Sequence, residues 1–254
     1  MPSPARREVD VLFDGSFEGF LCVVYAFYYV QITPRTIQSV NDFQPSITQE
    51  EYFVLTDGGQ ARTVEKALQN KISADASRRV YYAFLSSAMD RLSALLHYIV
   101  LGFKLGGKIE EHLHNDCVLR VHKMAREVGR EAHKLTGFCR FEETAQGIYY
   151  CGITPEHHVL EPLAEHFSDR MMDVSWVIHD KRHHRAAVYN TQNYTIVDVK
   201  PGQPPPAMAG NEQQIQNLWT LYFNTLAIEA RKNPKLHRQM VPIKFRGDMT
   251  EFRI

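Results

Sequence analysis

The hydrophobic period of this sequence changes at Gly137, and that change limits the possible folds more than any other feature. Before it, apolar residues recur three and four apart, from Val80 through Phe84, Leu92, Leu95 and Ile99, and again through Val118, Val121, Ala125, Val128, Ala132 and Leu135. That spacing puts each set on one stripe of a helix. After Gly137 come short segments rich in β-branched and aromatic residues: Phe138–Thr144, Ile148–Ile153, Val174–His179, Arg185–Asn190 and Tyr194–Val199. Turn residues separate them, as expected of strands. The pattern predicts an α+β protein: a small antiparallel sheet of about four or five strands with one inserted helix, flanked by long amphipathic helices from the N-terminal half and by a C-terminal helix. The inserted helix should begin near Pro162, because proline is tolerated in a first turn.

Elsewhere the reading is more local. A polar tail over 1–8 precedes a strand at Val9–Phe13, and Asp14-Gly15-Ser16 turns the chain into a helix over Phe17–Val30. Asp14 or Ser16 can cap that helix, a reading favoured over an anion held by the same free N–H groups. Pro34–Thr48 reads as a loop, Tyr52–Thr56 as a strand, Thr63–Ile72 as a helix, and the stretch from Val80 as one long helix ended by glycines from Gly102 on. Asn115–Leu135 is the next helix. The predicted organisation is a mainly helical region over 9–112, an α+β region over 113–199, a proline-rich connector over 200–210 and a helical segment over 211–254. In that last segment Asn211 and Gln214 suggest a capping box. Ile215, Leu218, Trp219, Tyr222 and Phe223 then form a face expected to dock on the body, and Asn233-Pro234 should end the helix.

Formal net charge is zero with a pI near 7.2, so any contact with nucleic acid has to come from a local patch. The four cysteines contain no CxxC pair, which disfavours a zinc ribbon or an iron–sulfur cluster and suggests reduced thiols. With no apolar leader and no uninterrupted run of about 18 apolar residues, a cytoplasmic location is expected. Twelve histidines invite a metal, yet none falls in an HExxH-type template, so neither metal nor cofactor is expected. His183-His184 reads as an exposed turn.

Several side chains are candidates for chemistry. His166 and Arg170, four apart, share an edge of the inserted helix. Arg170 is expected where solvent is scarce, matched either by Asp169, Asp173 or Asp180 or by an anionic ligand. His179 ends the WVIHD strand as a general base or simply as a strand terminus, with no serine or cysteine nucleophile motif beside it. Arg140 is a second candidate for holding phosphate. Arg126 lies in a stripe with His122, Gly129 and His133, either a solvated face or a phosphate contact. Near the C-terminus Arg231, Lys232, Lys235, Arg238 and Lys244 stand against Glu229, a basic patch suited to nucleic acid or to a helix end.

Taken together, VLFDGSFEGFL, GFCRF, PEHHVLEPLAEHFSDR, WVIHD and IEARKNPKLHRQMVP resemble a bacterial family of DNA-metabolism or DNA-repair proteins, over about residues 10 to 243. Members are typically encoded beside a radical-SAM protein of DNA modification or repair, and some are fused to a uracil-DNA glycosylase domain. The resemblance implies a DNA-binding accessory with a radical-SAM partner. The chain ends soon after NPKLHRQMVP and lacks CxxxCxxC, so base excision and radical chemistry are expected to lie elsewhere. The alternative is an enzyme acting on a nucleotide or lesion, with His166 or His179 moving a proton and Arg140 and Arg170 holding phosphate.

Overall fold

The structure is a computed structural model that describes residues 7–42, 50–226 and 233–252. It divides into two compact units, Met1–Val128 and Gly129–Ile254. The first contains β1 (Arg7–Phe13), α1 (Phe17–Tyr29), β2 (Ile32–Ser39), β3 (Glu51–Phe53), α2 (Gly58–Lys71), α3 (Ala74–Phe84) and α4 (Arg91–Leu105). The division falls inside α5 (Asp116–Phe138), rather than before residue 113, because Val118, Val121 and Met124 belong to the first unit's core.

β1, β2 and β3 form a parallel sheet in the order β2-β1-β3. Val9, Val11, Leu12 and Phe13 of β1 are all buried, as expected of a central strand covered on both faces. The loop expected over Pro34–Thr48 is therefore corrected: its first part is β2. Pro34 is tolerated there because β2 is an edge strand and Pro34 sits at a register shift, Val9 pairing with Pro34 and Asp10 with Thr36. The bulged Arg35 reaches Asp10 with Nε and Nη2 at 3.0 and 2.7 Å, and the Thr36 hydroxyl donates to the same carboxylate at 2.8 Å.

Ser16 caps α1 by accepting the Gly19 N–H at 2.9 Å, while Asp14 accepts the Ser16 hydroxyl and the Thr56 hydroxyl. The long helix predicted from Val80 is two helices. The break covers Leu85–Asp90, where the Ser86 hydroxyl accepts the Ala88 N–H and offers the backbone an alternative to the helical bond. Gly106, at φ +64°, ends α4. Arg91–Glu111 is, among the described residues, the one segment long and apolar enough to cross a membrane, but its Leu95, Tyr98, Ile99 and Ile109 are completely buried in the unit's core.

The second unit holds β4 (Glu142–Glu143), β5 (Tyr149–Ile153), α6 (Leu160–Arg170), β6 (Trp176–Asp180), β7 (Arg185–Tyr189), β8 (Tyr194–Asp198), α7 (Glu212–Thr225), α8 (Pro234–Met240) and α9 (Ile243–Arg246). Its five strands run in sequence order, antiparallel except for the parallel pair β5 and β6. The expectation of a wholly antiparallel sheet is corrected at that pair: the inserted helix is a crossover that returns the chain to the starting end before β6 begins. Trp176, Ile178 and Asp180 point to a buried face, where Trp176 meets Phe167 of α6 and stacks on Tyr189. Val177 and His179, one residue out of phase, point to the opposite face.

The C-terminal part differs from the sequence reading at three places. Asn211 makes no side-chain cap; instead the buried Glu212 carboxylate accepts the Glu143 N–H at 3.0 Å. Asn233-Pro234 starts α8, with the Asn233 side chain accepting the Leu236 N–H. Among the described residues the apolar face of α7 meets the body along one edge, where the partly exposed Trp219 reaches Glu251 and Phe223 meets Phe252, whereas Ile215, Leu218 and Tyr222 are more exposed still.

Candidate functional site

The second unit's sheet has an outer face, and there the strand alternation gathers polar side chains. Tyr150 and Gly152 of β5 lie in register with Val177 and His179 of β6, and Glu142 of β4 with Tyr150. The Tyr150 hydroxyl is 2.8 Å from His179 Nδ1. Gly152 keeps the floor beside this pair clear, since a Cβ there would sit 3.4 Å from the Tyr150 hydroxyl and 3.5 Å from the Lys181 stem. The proline-rich stretch 200–206 passes over the pair and makes the far wall, so it does more than connect. The residues that follow it, 207–209, pair with the sheet edge, through a Thr144–Met208 bridge and the bonds from Ala145 N–H to Ala207 O and from Ala209 N–H to Glu143 O.

Between sheet and strap lies a cleft with two chambers. The larger, about 360 Å³, is edged by Glu142, Lys181, His184 and Lys200. The smaller, about 230 Å³, is lined by Val177, Ala186, Val199 and the prolines 204–206. Tyr150, His179, Gln203 and Pro205 border both. The larger volume falls in the range of roughly 300–1,000 Å³ usual for small-molecule sites.

Burial pushes the His179 pKa below the ordinary imidazole value, and the Lys181 ammonium adds to that, so the ring is neutral at pH 7. With Nδ1 engaged by Tyr150, its Nε2 is the position left for a ligand. Lys181 forms an ion pair with Asp248 at the rim. His184 holds a left-handed φ of 54° in the β6–β7 turn, where its carbonyl accepts the Val199 N–H at 2.7 Å and pins the start of the strap.

Of the described residues picked from sequence, only His179 is in this cleft. His166 and Arg170 are exposed on α6, which packs on the opposite, Trp176 face; the expectation that Arg170 sits where solvent is scarce is thereby corrected. Leu163 and Phe167, not their C-terminal neighbours on the helical wheel, take the buried side. Asp180, offered as a partner for Arg170, instead accepts the N–H groups of Arg182 and His183 and pairs with His183 Nδ1 at 2.6 Å. His183 is consequently an ordered turn residue rather than an exposed one, with its ring centroid 4.1 Å from that of His158.

Arg140 is an internal brace. Its Nε and Nη2 donate to Glu251 at 3.1 and 2.6 Å, its guanidinium lies 5.4 Å from the Trp219 ring centre, and Trp219 Nε1 donates to the same carboxylate at 3.0 Å. Lys244 is likewise engaged, donating to Glu131 and Glu156. Arg126 is exposed on the first unit's part of α5, and Lys235 and Arg238 are exposed on α8. Arg231 and Lys232 lie outside the described residues. Sequence reasoning missed Tyr150, Lys181 and Lys200. The alternation in YYCGI could have put Tyr150 on one face, but nothing local says which strand it meets. Among the described residues no group of three or more His, Cys, Asp or Glu side chains is arranged to hold a metal ion.

Fold and site together define an α+β protein with a ligand-sized, cation-edged cleft on one face of a mixed sheet. The chain belongs to the DUF4130 family, a domain of unknown function whose family model matches residues 89–251. No curated protein and no solved structure matches it.

Proposed function

We propose that this chain is a cytoplasmic accessory of DNA repair or DNA metabolism that binds nucleic acid through its second unit and works beside a radical-SAM enzyme. The observation that carries the binding role is the set of Lys181, His184 and Lys200 around a cleft open to solvent, with Lys235 and Arg238 exposed on α8 as further phosphate contacts. The resemblance of the sequence motifs to a family of DNA-metabolism proteins supports the setting and the partner. Fluorescence anisotropy with single- and double-stranded DNA tests the binding, and co-purification with the neighbouring radical-SAM protein tests the partnership. Affinity should fall steeply with salt, and charge reversal at Lys200, Lys235 and Arg238 should abolish it; DNA binding unchanged by that triple reversal would refute the assignment.

A second reading, an enzyme acting on a nucleotide or DNA lesion, is favoured by the Tyr150 to His179 hydrogen bond in the cleft. In that reading His179 Nε2 accepts the proton, and His166 and Arg170 on the other side of the sheet take no part. Turnover that disappears in His179→Gln, with DNA affinity kept, would distinguish the enzyme from the accessory.

A further inference from the structure

We propose that the cleft seats one unstacked nucleotide, with its phosphate among Lys181, His184 and Lys200 and its base in the chamber lined by Val177, Val199 and the prolines 204–206. The inference rests on the nucleic-acid reading above and names the ligand of the same site. Its basis is the unequal chemistry of the two chambers. The larger has the ammonium groups of Lys181 and Lys200 at its edge, the first shared with Asp248, together with the His184 imidazole and the buried Glu142, whereas the smaller, about 230 Å³, is walled mainly by valine, alanine and proline side chains. An inorganic anion would fill only the first and an apolar molecule only the second. A nucleotide has a flat heterocycle at one end and an anionic phosphate at the other, and so matches both.

The junction fits the same ligand. Tyr150 and His179 border both chambers, and their mutual hydrogen bond fixes the direction of each ring. The sugar and the base edge would pass this point, where His179 Nε2 and Gln203 are the nearest groups able to read them. Prolines suit the wall facing the base: they present apolar rings with no N–H to leave unpaired, and they lose little conformational entropy when the ligand arrives. A base held there cannot remain stacked in a duplex, so the site favours a strand end, a gap or an extruded residue over intact double helix.

The test uses the full chain with thymidine 5′-monophosphate, thymidine, inorganic phosphate and a short single-stranded oligothymidylate, followed by calorimetry and by the valine methyl signals in NMR. The monophosphate should bind at least about tenfold tighter than either thymidine or phosphate, because each of those satisfies one chamber only. The signals of Val177 and Val199 should shift with monophosphate and with thymidine but not with phosphate. Lys200→Ala, a change at an exposed position, should weaken the monophosphate about tenfold and leave thymidine unaltered. Val199→Ser should weaken both, with circular dichroism confirming that the variant is folded. Oligothymidylate binding without monophosphate binding, or monophosphate no tighter than phosphate, overturns the nucleotide seat and leaves the nucleic-acid role standing. Failure of the oligonucleotide to bind overturns both.

Discussion

Removing the Arg140 guanidinium should destabilise the second unit far more than a surface ion pair would. The Glu251 carboxylate is 2% exposed and receives three side-chain donors: two from Arg140 and one from Trp219. In Arg140→Ala it keeps the indole N–H and its own backbone N–H but no positive charge, and a buried charge stripped of its partner costs about 3–5 kcal/mol. Arg140 itself is 21% exposed, so water can partly replace it, and about 3 kcal/mol is the expected loss. At roughly 4 °C per kcal/mol for a unit of this size, the midpoint should fall by about 12 °C. Both tryptophans, Trp176 and Trp219, lie in the second unit, so their fluorescence follows its unfolding without a signal from the first. Glu251→Ala alone should also be costly. The double variant, however, should be more stable than the sum of the singles predicts, by about 2 kcal/mol, since it leaves no orphaned charge. Burial pushes the Glu251 pKa up, but the bonds from Arg140 and Trp219 outweigh it and hold the carboxyl below its ordinary value. Its contribution is thus fully present above the unfolded pKa of about 4.3 and is lost as pH falls through the lower folded value, a dependence that Arg140→Ala should flatten. An Arg140→Ala midpoint within about 2 °C of wild type, or strict additivity in the double variant, would refute the reasoning.

Asp10→Ala should cost the first unit about 2 kcal/mol, because it removes the acceptor of three side-chain bonds while leaving Arg35, 38% exposed, free to hydrate. Faster amide exchange along β1 and β2 is the readout, and unchanged protection would contradict it. The His179 ring should titrate by NMR with a midpoint below about 6.5, and a midpoint above that value would mean that burial does not govern the ring. The Cys139 thiol is pushed well above its ordinary pKa by its hydrogen bond with Cys151 and by burial, so it should resist Ellman's reagent until the chain is denatured, and Cys151 should do the same because it is buried from the reagent. Labelling of either within seconds in the native protein would count against that packing.

In the second unit α6 and β6 were legible because each buries one face: Leu160, Leu163 and Phe167 mark α6, and the alternation of Trp176 and Ile178 marks β6. What escaped was non-local. β2 hides behind Pro34, whose meaning depends on the strand being at an edge and on the register shift beside it. The parallel pairing of β5 and β6 depends on where α6 delivers the chain, which no local pattern records. His166 and Arg170 were correctly placed on one helix, yet one step of about 100° separates an interior position from an exposed one. The cleft is assembled from β4, β5, β6, a turn and a strap, so its polar edge has no contiguous signature in the sequence; His179 was found because it ends a strand, and Tyr150 was missed because its partner lies 29 residues away.

The Arg140 brace also carries information about time. Arg140 and Glu251 are 111 residues apart, and Glu131 and Lys244 are 113 apart. At about 5–20 residues per second, a ribosome needs roughly 6–22 s to go from the first member of the Arg140 pair to the second. Through that interval the strands of the second unit can pair while the carboxylate that completes Arg140 does not yet exist. The brace is therefore closed by a segment made well after the strands, and a nascent chain halted before Glu251 would display an Arg140 held only by the Gly137 and Cys139 carbonyls and an α7 without its Glu251 contact.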